Sequence, residues 1–406
     1  MSTRSSHQVV PPDGAPSASP DVIVAGAGLI GLVTAWRAAR LGLRVTVVAP
    51  DEPGAASGVA AGMLTPATEA AFGEEPLTRF GLRSQERYPG FLSELAEDTA
   101  IDPGYRAEGT LQVAFDPDDL AVLTELMELR DRLGAKTERL TSRECRRLEP
   151  MLAPSVRGGV LAPDDHSVDP RRLAAALRAA AAERGAVFVA DRVERVVTAG
   201  GAARGVRLGG GGTLSAGQVV LAAGAWTSLI AGPPAGTVPA LRPVKGQLLR
   251  LRAPRGAEPV VTRTVRGLVR GAPVYLVPRA DGEVVLGATQ EEMGFDARLT
   301  VGGVWEILRD ARELVPGITE LEIAESCVGL RPGAPDNEPL LGPTRLPGLH
   351  LATGHFRHGV LFAPATGDAM AEALTTGRLP EHARRFAADR ELRVPAGSEG
   401  VEEQWT

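Results

Sequence analysis

Apolar and polar positions near the start of the chain follow the order strand, helix, strand. Residues 21–25 are a short, mostly apolar run that leads into glycine, and a helical pattern continues after Gly31 as far as Leu41. Residues 44–49 are again apolar and β-branched. A βαβ unit of this kind, roughly thirty residues long, is the repeating unit of parallel sheets. The sequence therefore predicts an α/β fold that begins with a parallel sheet.

Further helices are predicted where apolar residues recur at helical spacing after capping signals. Thr141 with Glu144 has the pattern of a capping box, and Asp169 followed by Pro170 marks another helix start. The predicted helices are residues 78–98, 118–133, 141–148, 169–184, 304–314 and 366–375. The predicted strands between them are residues 111–115, 187–189, 218–222, 247–251, 275–278, 283–286 and 349–352.

A second type of sheet is predicted in the middle of the chain. Residues 238–288 contain strands with scarcely any helix between them, which is typical of an antiparallel sheet. We therefore predict a Rossmann-like nucleotide-binding domain interleaved with an α+β substrate domain. The nucleotide-binding segments are 21–77, 150–235 and 325–390, the substrate segments are 78–149 and 236–324, and residues 1–20 and 391–406 are predicted as flexible tails.

The composition of the chain mainly excludes classes of function. The 44 Lys plus Arg against 50 Asp plus Glu give a net charge of −6, which provides no general attraction for nucleic acid or anionic lipid. The sequence has neither an apolar stretch of about eighteen residues for a membrane span nor a signal peptide. Cys145 and Cys327 have no metal-ligand spacing or disulfide pattern. We expect a cytoplasmic protein with no nucleic-acid or membrane partner.

The glycine-rich turn at residues 26–31 (GAGLIG) is the first candidate site. Gly26, Gly28 and Gly31 have the spacing that allows a tight turn, a close backbone approach to a pyrophosphate, and close packing of the following helix on the sheet. The helix N-terminus then faces the phosphates. Because the turn follows a predicted strand and precedes a predicted helix, it indicates a dinucleotide site rather than a purely structural turn.

The ribose end of this site departs from the usual pattern. An acidic residue commonly ends the second strand and binds a ribose hydroxyl, but this chain has Ala49 followed by Pro50. Asp51 would take the role if the loop bends back. The alternatives are a ribose held by backbone and water alone, with Asp51 as an ordinary turn residue.

Two clusters of small residues indicate which dinucleotide binds. Residues 57–64 (SGVAAGML) place small side chains and a hydroxyl where a flat ring system would lie against the main chain. Residues 219–226 (VVLAAGAW) form a buried strand that ends in small residues, with a core strand and turn as the alternative. A nicotinamide cofactor has less need of these clusters, so they favour a flavin.

Seven motifs occur together in one order along the chain. They are GAGLIG (26–31), AAGML (60–64), VKGQ (244–247), YLVPR (275–279), LGAT (286–289), GLRPG (329–333) and GHFRHG (354–359). Together they resemble the D-amino-acid-oxidase-type FAD-dependent oxidoreductases, and within that family most resemble the glycine oxidase branch of thiamine biosynthesis. The resemblance extends from about residue 21 to residue 390.

The resemblance implies a non-covalently bound FAD whose isoalloxazine lies between the two domains. It also implies oxidative deamination of glycine or another small amino acid, O2 as acceptor, H2O2 as product, an imine for thiazole synthesis, and a homo-oligomer, often a tetramer in the resembling enzymes. The cofactor contacts implied by position are Gly26, Gly28, Leu29, Ile30, Gly31, Ala49, Pro50, Ala56, Ser57, Ala61, Gly62, Met63, Val193, His355, Phe356, Arg357, His358, Gly359, Val360 and Leu361.

Arginine suits the substrate carboxylate, because its planar fork makes two parallel charge-assisted hydrogen bonds. The resemblance places Arg331 on that carboxylate and Arg357 near the substrate and the flavin. It places Tyr275 over the substrate, with core packing as the alternative. These three residues are the predicted catalytic and substrate-binding groups. Gln290 stands where related enzymes often have an apolar residue and marks a changed pocket.

The sequence gives less support to a metal site or to a covalently attached flavin. His355 and His358 have no third ligand at helical spacing, so no metal site is expected. Sarcosine oxidases tether their flavin to a cysteine near the position of Cys327, but the surrounding motif differs from theirs, so a buried thiol is predicted. Those enzymes also tend to carry a lysine where this chain has Val284 and Val285.

Three alternative functions remain open. A sarcosine or D-amino-acid oxidase-like enzyme would differ in pocket volume. A non-catalytic flavin-binding subunit would not need Arg331. A NAD-linked dehydrogenase accounts for the first glycine turn but leaves residues 60–64 unexplained.

Overall fold

The computed structural model describes residues 19–50, 55–254 and 256–392. Its helices are α1 Leu29–Arg40, α2 Ala56–Val59, α3 Glu75–Ala96, α4 Pro117–Leu133, α5 Ser142–Leu148, α6 Pro170–Glu183, α7 Val301–Leu314 and α8 Ala363–Thr376, with 3-10 turns at Gly224–Leu229, Pro316–Glu320 and Glu381–Phe386. Its strands are β1 Val22–Ala25, β2 Val45–Ala49, β3 Met63–Leu64, β4 Thr110–Ala114, β5 Glu138–Thr141, β6 Gly158–Ala162, β7 His166–Ser167, β8 Val187–Ala190, β9 Val193–Ala199, β10 Ala202–Leu208, β11 Thr213–Ser215, β12 Gln218–Leu221, β13 Arg242–Arg252, β14 Thr264–Val269, β15 Ala272–Pro278, β16 Glu283–Gly287, β17 Glu322–Gly333, β18 Leu340–Pro343 and β19 Leu349–Thr353.

The predicted βαβ unit forms the centre of a six-stranded sheet in the order β18-β19-β12-β1-β2-β8. All neighbours are parallel except β18 and β19. Val22 and Val24 of β1 face a layer of helices, while Ile23 and Ala25 face the side that carries β9, β10 and β11. Both faces are covered, which explains why β1 is apolar at every position rather than alternating.

The second sheet has eight strands in the order β17-β13-β16-β15-β14-β4-β6-β5. Its pairs are antiparallel except β14 with β4. Leu249, Leu276 and Leu286 pack with Ile307 of α7 on one face, and Leu248 and its neighbours face the other way. The predicted α/β class with an added antiparallel sheet is confirmed.

Several helices begin earlier than the apolar pattern indicates. Helix α7 starts at Val301 instead of residue 304, because the Thr300 side chain accepts a hydrogen bond from the backbone N–H of Gly303. Proline in the first turn likewise begins α3 and α8 three residues before their predicted starts at residues 78 and 366. The capping box of Thr141 and Glu144 is confirmed, with both of its hydrogen bonds present.

The segment boundaries stay a prediction, and two strands bear on them. Strand β17, which contains the predicted boundary at residue 325, pairs with β13 along its length. Strand β6, inside the predicted nucleotide-binding segment 150–235, pairs with β4 in the eight-stranded sheet. Of the predicted tails, residues 1–18 and 393–406 lie outside the described residues. Within the part that is described, no helix is both long and apolar enough to cross a membrane.

Candidate functional site

A cavity of about 870 Å³ lies between the six-stranded and the eight-stranded sheets. Its walls include the turn between β1 and α1, helix α2 with the residues up to Met63, the start of β9, and the residues after β19. On the other side it is lined by residues of β13, β14, β15 and β17. The glycine turn and the predicted substrate residues therefore share one cavity.

The glycine turn has the backbone geometry that its spacing predicts. Gly26 has a φ of 116°, and a Cβ atom there would overlap the carbonyl oxygen of Ala222. A Cβ atom on Gly31 would overlap the carbonyl oxygen of Gly26, so close packing of α1 requires glycine at this position. At Gly28 a Cβ atom would lie 3.3 Å from Ser57 Oγ.

The N-terminus of α1 is open to an anion. Gly28 is its N-cap residue and supplies no side-chain hydrogen bond, and the first turn contains no acidic residue. The Leu29 N–H donates to Ser57 Oγ at 3.0 Å, which connects α1 to α2 at the cavity wall. The backbone N–H groups and the helix dipole would favour a phosphate at this end.

Two glycines in the eight-stranded sheet make room for the predicted substrate residues. Tyr275 of β15 lies opposite Gly287 of β16, and a Cβ atom on Gly287 would lie 2.7 Å from Tyr275 Cζ. Likewise, a Cβ atom on Gly246 of β13 would lie 2.6 Å from Arg331 Cζ. Each glycine therefore lets a phenol ring or a guanidinium lie flat on the sheet surface inside the cavity.

Arg331 is a charged group without an anionic partner among the described residues. Its Nη1 donates to the carbonyl oxygen of Thr289 at 3.1 Å and to that of Lys245 at 3.4 Å. It forms no ion pair with a carboxylate of the described residues. Burial lowers the pKa of Arg331, although the nearby Tyr275 and Glu69 oppose this effect. A buried guanidinium is costly unless paired, so this position favours an incoming anion.

Two arginines near Arg331 in the cavity are already paired with carboxylates. Arg357 forms an ion pair with Glu74. Arg266 donates from Nη1 to Glu69 Oε1 at 2.6 Å, and His358 Nδ1 lies 3.2 Å from Glu69 Oε2. Burial raises the pKa of Glu69, but the charge of Arg266, with a contribution from the neighbouring His358, outweighs this effect and holds that pKa well below its ordinary value. Arg331 differs from both because it forms no ion pair with a carboxylate of the described residues.

Most predicted site residues line this cavity, and three do not. Lining it are Gly26, Gly28, Leu29, Ile30, Ala49, Pro50, Ala56, Ser57, Ala61, Gly62, Met63, Val193, His355, Phe356, Gly359 and Val360, together with Tyr275, Arg331 and Arg357. Gly31 is instead packed against the Gly26 carbonyl. His358 and Leu361 border a small separate void that also touches Glu69. Asp51 lies outside the described residues.

Glu69 and Arg266 were missed by sequence reasoning. Asp165 accepts hydrogen bonds from the Ala67 and Thr68 backbone N–H groups, at 3.1 and 2.8 Å, and so anchors the loop that carries Glu69. Arg266 lies opposite Tyr275 in the pairing of β14 with β15. The position of Arg266 could have been anticipated, because β14 and β15 are consecutive strands joined by two residues and therefore pair as a hairpin. The contact of Glu69 could not, because it depends on a loop with no recognisable motif.

The glycine turn on a parallel sheet, joined by one cavity to polar groups on an antiparallel sheet, defines a class of dinucleotide-dependent oxidoreductases. The chain belongs to the DAO family of FAD-dependent oxidoreductases, whose family model matches residues 21–373. The family recognised from the seven motifs and the FAD cofactor are thereby confirmed.

Individual relatives support the same family. The glycine oxidase of Geobacillus kaustophilus is 34% identical over 356 residues, which cover 87% of this chain and 92% of that protein. A crystal structure of glycine oxidase from the same organism has a TM-score of 0.84 at 31% identity and covers 92% of this chain and 99% of that chain. The bifunctional protein ThiO/ThiG of Trichormus variabilis is 33% identical over 355 residues, or 87% of this chain. This chain spans about half the length of the bifunctional relatives, 52% in that case.

The residues present fit an FAD. Ser57 and the N-terminus of α1 would hold the pyrophosphate, since this end carries N–H donors and no acidic side chain. Gly62, whose φ is 80°, keeps the main chain close to Val168 where a Cβ atom would overlap the Val168 carbonyl oxygen. Ala61 and Met63, on either side of Gly62, line the cavity where a ring system would lie.

Cys327 does not line the cavity but packs behind its wall, in one cluster with the lining residues Ala61 and Leu248. Its thiol donates to Glu325 Oε1 at 3.2 Å, and it packs with Leu248, Val277 and Val285 in a small apolar cluster. Burial raises the pKa of Cys327, as does the neighbouring Glu325 carboxylate, so the thiolate is disfavoured.

We expect acid precipitation of the purified protein to release all flavin into the supernatant, because the Cys327 thiol is neutral and does not line the cavity. The measurement is the absorbance of the supernatant and of the redissolved pellet. Cys327→Ser should retain the same flavin content as a control. Colour that stays in the wild-type pellet and disappears in Cys327→Ser would indicate a covalent tether instead.

Proposed function

We propose that this protein is an FAD-dependent amino-acid oxidase that acts on glycine or another small amino acid. The observation that carries the proposal is the Arg331 guanidinium, which lies in the cavity without a carboxylate partner among the described residues. The relatives named glycine oxidase, at 34% identity and a TM-score of 0.84, support the same substrate class.

Arg331 would bind and orient the substrate carboxylate. The carbonyl oxygens of Thr289 and Lys245 both accept from Nη1, which holds the guanidinium in the plane above Gly246. The remaining N–H groups are then free to make charge-assisted hydrogen bonds to the carboxylate, each of about 1.5–3 kcal/mol. This contact would point the Cα–H bond of the substrate toward the hydride acceptor, and such alignment of the reacting groups is a large part of catalysis.

Tyr275 would add a second, neutral contact. Burial raises the pKa of Tyr275, so the phenol keeps its proton at neutral pH and acts as a hydrogen-bond donor. Its ring is fixed over Gly287, and its hydroxyl lies on the same side of the sheet as Arg331. Tyr275 and Arg331 together would fix the carboxylate without placing a second charge in the cavity.

Arg357 would serve mainly to shape the cavity, because Glu74 already neutralises its charge. The pair of Arg266 with Glu69 is similarly balanced. This leaves the region around the substrate amine without a strong net charge apart from Arg331. Such an environment favours a neutral amine, whose lone pair assists departure of hydride from Cα, and no side chain is then required as a general base.

The bound FAD supplies the hydride acceptor, and O2 would restore it with release of H2O2. The imine product would be hydrolysed or passed on for thiazole synthesis, as the resemblance to the thiamine-pathway branch implies. A cytoplasmic location and a homo-oligomeric assembly belong to the same proposal.

A side-by-side oxidase assay tests the substrate class. We expect peroxide formation with glycine, and a smaller rate with sarcosine and D-alanine, whose extra methyl groups need more room. The same reactions under nitrogen with an artificial electron acceptor separate substrate choice from the use of O2. Flavin reduction by none of the three amino acids would contradict the proposal and favour a non-catalytic flavin-binding subunit.

A further inference from the structure

The ribose end of the cavity has no acid where the second strand ends. Ala49, the last residue of β2, pairs with Ala190, the last residue of β8. The chain that follows Ala190 therefore continues directly beside Ala49, at the carboxyl edge of the sheet where nucleotides bind. Residues 192–194, which lead into β9, line the cavity together with Ala49 and Pro50.

Glu194 is the carboxylate available at this end. Among the described residues, the carboxylates that line the cavity are Glu69 and Glu194. Glu69 is held by Arg266 and His358 beside Tyr275. Glu194 lines the cavity next to Val193, which was expected to contact the FAD.

The Glu194 carboxylate retains capacity for further hydrogen bonds. Its contacts with arginine are long, at 3.4 Å to Arg192 Nη2 and 4.0 Å to Arg207 Nη2. The side chain is 36% exposed, so it is neither buried in the core nor fully solvated. An ionised carboxylate has about four lone-pair positions, and these two weak contacts leave most of them for hydroxyl donors.

We propose that Glu194 binds the hydroxyl groups of the adenosine ribose of FAD. The carboxylate then comes from the start of β9 instead of the end of β2, where this chain has Ala49. A vicinal diol donates two hydrogen bonds, and one carboxylate accepts both. Arg192, beside it, contacts one carboxylate oxygen at 3.4 Å and leaves room for further donors. The inference depends on FAD as the cofactor and is independent of the substrate.

The test measures FAD retention in the full-length holoenzyme rather than its activity. Each variant is diluted serially, and free FAD is quantified from the recovery of flavin fluorescence to obtain a dissociation constant. Glu194→Gln keeps the shape of the side chain and removes its charge, and we expect it to weaken FAD binding by roughly tenfold to a hundredfold. Glu322→Gln, which changes an exposed carboxylate of β17 outside the cavity, is the matched control and should leave the constant unchanged.

An analogue of FAD with a 2′-deoxyribose in its adenosine half identifies the contact. Exchanged into the wild-type protein, the analogue should bind more weakly than FAD, whereas in Glu194→Gln the two should differ little. Glu194→Asp, which withdraws the carboxylate by one methylene, should give an intermediate constant and guards against a folding defect in the first variant.

Two results would overturn the assignment. One is an unchanged dissociation constant in Glu194→Gln. The other concerns the deoxyribose analogue. If Asp51→Asn binds FAD and the analogue equally well while Glu194→Gln still prefers FAD, the ribose contact belongs to Asp51. Because no amino-acid substrate enters the measurement, an inactive but flavin-loaded protein would contradict the proposed function and leave this inference standing.

Discussion

Replacing Arg331 with lysine is expected to raise the KM for amino-acid substrates by well over tenfold, on the order of 2 kcal/mol. The lysine ammonium keeps the charge but cannot match the two oxygens of a carboxylate with a planar fork. It also cannot donate to the Thr289 carbonyl and to the substrate from one rigid group. Steady-state kinetics with glycine, or with the best substrate from the oxidase assay, provides the measurement.

Arg357→Lys is the matched control for this experiment. It changes another arginine of the same cavity, but one whose charge is already balanced by Glu74. We expect a smaller change in KM there. An amine without a carboxylate separates the two effects further, since its weak oxidation should not respond to Arg331→Lys. Equal KM values for wild type and Arg331→Lys would remove Arg331 from the substrate site.

Replacing Gly31 with alanine is expected to abolish stable FAD binding and to lower the free energy of unfolding by about 3 kcal/mol. The added methyl group would overlap the carbonyl oxygen of Gly26 and push α1 away from the glycine turn. Alanine favours the helical conformation over glycine by about 1 kcal/mol. A lower free energy of unfolding would therefore show that the steric overlap outweighs this gain in helix propensity. Flavin content after gel filtration and denaturant unfolding provide the two readouts.

Gly58→Ala is the control for Gly31→Ala. Gly58 lies in α2 near the same cavity, but nothing stands within 4 Å of the Cβ atom that alanine would add. Flavin content and stability should therefore remain close to those of the wild type. Normal flavin binding by Gly31→Ala would show that α1 shifts without cost and that the third glycine of the turn has no packing role.

The local elements were largely predictable from sequence. The GAGLIG turn, the capping box at Thr141 and the apolar run of β1 each depend on residues that are neighbours along the chain. These elements form as predicted because backbone sterics and the burial of apolar side chains act over a few neighbouring residues. The starts of α3, α7 and α8 were misplaced by three residues, because a cap or a first-turn proline extends a helix beyond its apolar stripe.

The candidate site was predictable in its residue types more than in its partners. Tyr275 and Arg331 were identified by motif, but their placement over Gly287 and Gly246 depends on strand register. The motifs also grouped His358 and Leu361 with the cavity residues, whereas they lie against a separate void. The chain turns after His355, where the His358 N–H donates to the His355 carbonyl oxygen at 2.9 Å, and a motif does not reveal which side chains such a turn leaves on the cavity wall.

The sequence by itself predicted the class of sheet and the dinucleotide turn, because both follow from local backbone geometry and burial. Through the resemblance of its motifs it also indicated which residues to propose for binding a carboxylate. Only the tertiary structure decided which charges neutralise one another. Arg357 pairs with Glu74 and Arg266 pairs with Glu69, while the partners of Arg331 in the described part of the chain are backbone carbonyl oxygens. Electrostatic pairing depends on distances between residues that are far apart in the chain, and folding sets those distances through the packing of two sheets against each other.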